Sequence, residues 1–207
     1  MKYGLVFIFI KKKYFVLSFA PLRFKSWFRP WLIMTSTKER VQTWQPPPAS
    51  RFKLNFDAAI FAYLGCSGVG VIIRNEKGEV MGAMIAKGRG VTDSMEAEAL
   101  ACRRVLEFAV DIGITELVIE GDCAQVISTI TSNQFSLSQL GHVFEDIQVL
   151  ISSLRWAEVH WVNRSANLVA HSLARNAKDA VDDVIWLEDS LLPALEALYH
   201  NSLSIIE

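Results

Sequence analysis

The chain has 207 residues, 51% of them apolar and 21% charged, which supplies one sizeable core and excludes wholesale disorder or a fibrous repeat. Its three cysteines, Cys66, Cys102 and Cys123, form no CxxC pair and cannot all pair within one chain, which argues against a disulfide scaffold and a zinc-finger framework, and a reducing compartment, nuclear or cytoplasmic, is expected. The net charge of −1 hides an asymmetry: residues 1–40 carry nine Lys/Arg and one acid, and residues 41–207 carry twelve Lys/Arg and twenty-one acids, so that acidic part cannot hold nucleic acid by bulk charge.

Residues 1–33 are apolar and basic and contain no acid. Their longest apolar run, Tyr3–Ile10, stops at Lys11-Lys12-Lys13, far short of the ~20 residues that span a bilayer. No convincing signal-peptide h-region and cleavage site is present. Three readings stay open: an extension outside the fold, an organelle-targeting segment, or an aromatic and basic segment lying on a membrane surface. Met34 opens a more ordinary stretch and is an alternative start. Residues 1–43 are expected to lie outside the fold.

Trp44-Gln45-Pro46-Pro47-Pro48-Ala49-Ser50 cannot be helical or sit mid-sheet and predicts a linker over 44–50. In Arg51–Ala59 the alternation puts Leu54, Phe56 and Ala58 on one face and Lys53, Asn55 and Asp57 on the other, which predicts a strand. Gly68–Arg74 and Glu79–Ala86 read as two more strands, joined by the turn Asn75-Glu76-Lys77-Gly78. From Asp93 the period changes. Met95, Ala99, Cys102, Val105, Leu106 and Ala109 form a helical stripe, with Asp93 or Ser94 as N-cap and Gly113 as the stop. Glu116–Glu120 is a fourth strand, Cys123–Thr131 and Leu140–Leu154 are helices, Ala157–Val162 is a fifth strand, and Ala166–Ala177 is a helix. A meander followed by crossovers predicts an α/β fold with a five-stranded mixed sheet, three antiparallel strands then two parallel, flanked by helices. The domain is expected over 51–180, with a helical tail over 181–207.

The acids fall unevenly. Asp57 sits inside the first strand, Asp122 ends the fourth strand after a glycine, and Glu98 lies on or beside the buried stripe of the first helix. Such acids are costly unless paired or bound to cations. Singly, each has a structural reading: a turn or cap for Asp57, a helix N-cap for Asp122, a solvated face for Glu98. Together they suit a hard, oxygen-liganded cation such as Mg²⁺.

Four motifs carry a resemblance. They are the run from Trp44 through Pro46-Pro47-Pro48 to Lys53-Leu54-Asn55-Phe56-Asp57-Ala58-Ala59; Ala97-Glu98-Ala99-Leu100-Ala101; Val118-Ile119-Glu120-Gly121-Asp122-Cys123; and Trp161-Val162-Asn163-Arg164-Ser165-Ala166-Asn167-Leu168-Val169-Ala170-His171-Ser172-Leu173-Ala174. In this order they resemble the type 1 ribonuclease H family, in particular plant copies related to non-LTR retrotransposon polyproteins. The resemblance runs from about Trp44 to Glu188. It implies an RNase H-like fold and hydrolysis of the RNA strand of RNA–DNA hybrids with two Mg²⁺ ions. By position it implies Asp57, Glu98, Asp122 and His171 as catalytic and metal-binding residues. Glu98 is preferred to Glu96 because Leu106, Gly113 and Asp122 then fall at the family's offsets.

His171 stands where bacterial and retroviral members carry Asp. An imidazole brings no negative charge and suits Mn²⁺ better than Mg²⁺, so the second metal site is expected to be weakened, or His171 to carry a proton. A site that has lost its role is the competing reading, which would make the chain a silent nucleic-acid-binding module. His160 reads as a strand surface residue and His142 as a helix residue. Arg74, Lys87, Arg89 and Arg164 are candidate phosphate contacts. Family members with a basic handle between helices gain affinity from it; Thr131–Gly141 holds no Lys or Arg, so the resemblance implies weak intrinsic affinity for hybrid, or dependence on a fused or separate partner. A monomer without a stable membrane span is expected.

Overall fold

The computed structural model describes residues 43–132 and 140–187. The expected extension over 1–43, apart from its last residue, and the tail beyond residue 187 lie outside the described residues. The strands are β1 (Phe52–Phe61), β2 (Cys66–Arg74), β3 (Val80–Arg89), β4 (Glu116–Gly121), β5 (Trp156–Trp161) and β6 (Val184–Trp186). The helices are α1 (Ser94–Asp111), α2 (Ala124–Ser132), α3 (Gly141–Ser153) and α4 (Leu168–Asn176). They form one mixed sheet in the order β5-β4-β1-β2-β3-β6. The β1–β2, β2–β3 and β3–β6 pairs are antiparallel, and β1–β4 and β4–β5 are parallel.

The expected mixed sheet is therefore present, with a sixth strand that the sequence reading did not anticipate. β6 pairs Ala83, Met84 and Ile85 with Trp186, Ile185 and Val184. The first residues of the expected helical tail are thus extended. Two apolar residues and a tryptophan after a pair of acids carry no period long enough to separate strand from helix.

Alternation in β1 works as expected. Leu54 and Phe56 enter the larger core with Val105, Leu106, Phe144 and Ile147 of α1 and α3. The opposite sheet face meets α4 through Ile72, Ala83, Ile85, Val169 and Leu173. α1 starts as expected, with Asp93 accepting a bond from the Glu96 amide at 3.1 Å. Gly113 takes a left-handed φ of 79° just beyond its end.

The Pro-rich segment is fixed to the domain at its first residue. Trp44 is buried, and its Nε1 donates to Asn55 Oδ1 at 2.9 Å. It covers a polar network on the β1–β2–β4 face. Asn55 donates to Glu120 at 2.9 Å, Lys53 pairs with Glu120 at 2.6 Å, and Arg74 donates to Asn55 at 3.0 Å. The Arg74 guanidinium stacks 3.7 Å from the Trp44 ring centre. Among the described residues, no helix is long and apolar enough to cross a membrane.

Candidate metal centre

Asp57 lies at the middle of β1, two pairs past the point where Asn55 opposes both Ile72 and Glu120, and has no exposed surface. The parallel β1–β4 register sets Phe56 against Gly121, so Asp122 leaves the sheet beside Asp57. A Cβ on Gly121 would stand 2.7 Å from the Phe56 ring, so this approach requires glycine before the acid. Glu98 reaches in from the second turn of α1, where it is buried, and its Oε1 accepts from the Ala58 amide at 3.3 Å. Glu96 instead points outward and pairs with Arg89. One oxygen from each of Asp57, Glu98 and Asp122 lies within 4.8 Å of the others.

These groups are held without enough compensating charge. Burial pushes the Glu98 carboxyl up from its ordinary 4.5 to about 10, and Asp57 beside it adds to the shift. Asp57 is also raised, by burial first and then by Asp122. Among the described residues no donor reaches Asp57 Oδ1 or Glu98 Oε2, both buried. An all-oxygen donor set with two orphaned buried acceptors fits a hard divalent cation.

α4 brings His171 to the same place. Asn167, at its start, donates from Nδ2 to the Phe56 carbonyl at 2.8 Å, anchoring the helix beside β1. Two glycines of β2 allow close approach: a Cβ on Gly70 would stand 2.2 Å from the Ala174 amide, and one on Gly68 2.3 Å from its carbonyl. His171 Nδ1 lies 2.6 Å from Asp57 Oδ2. With Asp57 ionised, Nδ1 is the donor, which leaves only Nε2 as a possible ligand. His171 is therefore a partner of Asp57 and stands outside the three-carboxylate group that could share one ion.

The candidate phosphate contacts separate. Arg74 is buried in the Trp44 network, where burial pulls its guanidinium down to about 9 against the opposing effect of Glu120, so it cannot meet a phosphate. Lys87 and Arg89 are exposed near the end of β3. Arg164 donates from Nε to Asp122 Oδ2 at 2.9 Å. Nothing in the spacing of these four cations distinguishes Arg164 from the others. Asn167 was not singled out either, although its place four residues before His171 at a helix start was a usable signal. His160 is exposed on β5 beside Glu158, and His142 is exposed on α3, as expected.

The family model described as reverse transcriptase-like matches residues 55–177, which spans all four of these side chains. The chain belongs to the reverse transcriptase-like family. Its fold is that of the RNase H proteins. RNase H1 from the archaeon Halobacterium salinarum is 24% identical with a TM-score of 0.57, over 62% of this chain and 98% of that one. The N-terminal RNase H domain of a Mycobacterium tuberculosis protein, solved as a fusion with maltose-binding protein, is 23% identical with a TM-score of 0.55, over 62% and 94%. An RNase H1 named LC11, solved in complex with an RNA/DNA hybrid, is 21% identical with a TM-score of 0.55, over 62% and 97%. No curated protein matches this reverse transcriptase-like chain.

Proposed function

We propose that this domain is a divalent-cation-dependent endoribonuclease that hydrolyses the RNA strand of RNA–DNA hybrids. The observation that carries this reading is the meeting of Asp57, Glu98 and Asp122, remote in sequence, with oxygens within 4.8 Å of one another. A structural neighbour solved with an RNA/DNA hybrid supports the substrate class. The four motifs support placing the chain with the plant, non-LTR retrotransposon-related members. The catalytic unit is 51–180 together with β6, which completes its sheet, with Trp44 as its clasp, working as a monomer.

In this reading Asp57, Glu98 and Asp122 hold Mg²⁺, or Mn²⁺ in its place. Held by these three carboxylates, a divalent ion would supply Lewis-acid chemistry, acidifying a water and polarising a phosphate oxygen. The chain's own residues set the geometry. The Ala58 amide orients Glu98, and the His171 Nδ1–H orients Asp57. Arg164 holds Asp122. Selectivity for hybrid comes from 2′-hydroxyls met across a wide, shallow minor groove.

The second reading is a binding module without turnover. It is favoured by one observation: His171, at the position where bacterial and retroviral members carry Asp, is engaged with Asp57. A gel assay on labelled hybrid, in Mg²⁺ and then Mn²⁺, separates the two. Wild-type protein is expected to cut only the RNA strand, and Asp57→Asn to lower the rate by about 10²–10³-fold, the scale of a lost electrostatic contact in a transition state. Cleavage that survives Asp57→Asn would discard the assignment. Hybrid binding without cleavage in either metal would select the second reading.

A further inference from the structure

Arg164 stands at a position that the two-ion expectation leaves no room for. It opens the 3₁₀ turn Arg164–Ala166 between β5 and α4. Its Nε donates to Asp122 Oδ2 at 2.9 Å. Its Nη1 lies 3.0 Å from His171 Nδ1 and 3.3 Å from Nε2. The guanidinium therefore lies between the acid that closes β4 and the imidazole that α4 delivers. That is beside Asp57 and His171, where the second ion was expected.

We infer that Arg164 is a built-in counter-cation that takes the place of the second divalent ion, so that the free chain binds one ion rather than two. This rests on the reading of Asp57, Glu98 and Asp122 as a cation site and deepens it. Charge balance supports it. Four carboxylates would match two divalent ions. With His171 in the fourth position there are three carboxylates, and these match one divalent ion and one guanidinium. Ligand supply agrees. His171 commits Nδ1 to Asp57 at 2.6 Å, and its remaining nitrogen already has a cationic N–H of Arg164 at 3.3 Å. A second divalent ion would have to approach a fixed positive charge with one fewer anionic ligand. The Asp122 side chain is only 6% exposed, so the ion pair removes an otherwise unmet charge, while the Arg164 side chain, 56% exposed, remains able to leave.

Manganese binding tests this on the full chain. Free Mn²⁺ is followed by electron paramagnetic resonance during titration of wild-type, Arg164→Ala and Arg164→Gln proteins, each checked for cooperative thermal unfolding. Arg164 is exposed, so its truncation leaves no core cavity, and the Gln variant removes the charge while keeping most of the side chain. Wild-type protein is expected to take up one Mn²⁺. Both variants are expected to take up two, the added site binding at least about tenfold more tightly than any second site of wild type. Two ions on wild type, or one ion on either variant, overturns the inference and leaves the carboxylate site standing. No ion on wild type overturns the inference and the cation-site reading together.

Discussion

Asp57 has no water to solvate it, and Glu98 is nearly as enclosed, so the charge state of this pair is set by what else is bound. Without a cation, Glu98 keeps its proton far above the ordinary carboxyl range. Its folded-state pKa is raised, so its contribution to stability is complete below about 4.5 and is lost progressively as pH rises toward about 10. In EDTA, wild-type protein is therefore expected to lose stability across that window, and Glu98→Gln, which cannot ionise, to lose less of it. Urea unfolding of both at pH 5 and pH 9 measures the difference: small at the lower pH, with Glu98→Gln the more stable at the higher. Saturating Mg²⁺ should reverse the order at pH 9, because only wild type gains a ligand on the ion. Parallel profiles in EDTA would mean that Glu98 ionises in the fold as freely as in the unfolded chain.

α4 has a residue-free track to follow on β2, where Gly68 and Gly70 leave its backbone directly against the strand. Gly70→Ala would place a methyl 2.2 Å from the Ala174 amide and 2.4 Å from the Ala170 carbonyl, so the helix carrying His171 must move away. That variant is expected to lose about 1–3 kcal/mol or more of stability and to cleave hybrid more slowly. Gly82→Ala is the control, because its methyl would meet the side-chain ends of Ile112 and Phe108, at 2.9 and 3.3 Å, which can shift. Equal unfolding midpoints for the two would show that α4 is not seated this closely. The elements that build the site were readable because each had a strong local signal: alternation around Asp57, the capped stripe that carries Glu98, the glycine before Asp122. The pieces that were not readable depend on distant partners. Trp44 and Arg74 look like a linker residue and a surface cation until they stack over Asn55. Arg164 acquires its meaning only when β4 and α4 bring Asp122 and His171 to either side of it.

The chain divides its charge so that the site lies in its acidic part, 41–207, and its basic excess lies in residues 1–40. Two binding modes follow for a hybrid. If the domain acts alone, Lys87, Arg89 and Arg164 are its exposed cations nearest in kind to phosphate contacts, and two of the three are already engaged with Glu96 or Asp122. Three phosphate contacts release few counterions, so the logarithm of affinity should fall against the logarithm of salt with a slope of about −3 or shallower. If residues 1–33 contribute, their seven basic groups should steepen that slope to about −6 or beyond. Fluorescence anisotropy of a labelled hybrid in Ca²⁺, between 50 and 200 mM salt, measures it for the full chain and for a chain starting at Met34. The expected result is a shallow slope for both and an affinity that drops when Ca²⁺ is removed, because three carboxylates then face the phosphates unneutralised. A steep slope that only the full chain shows would move hybrid recognition out of the domain and into its basic extension.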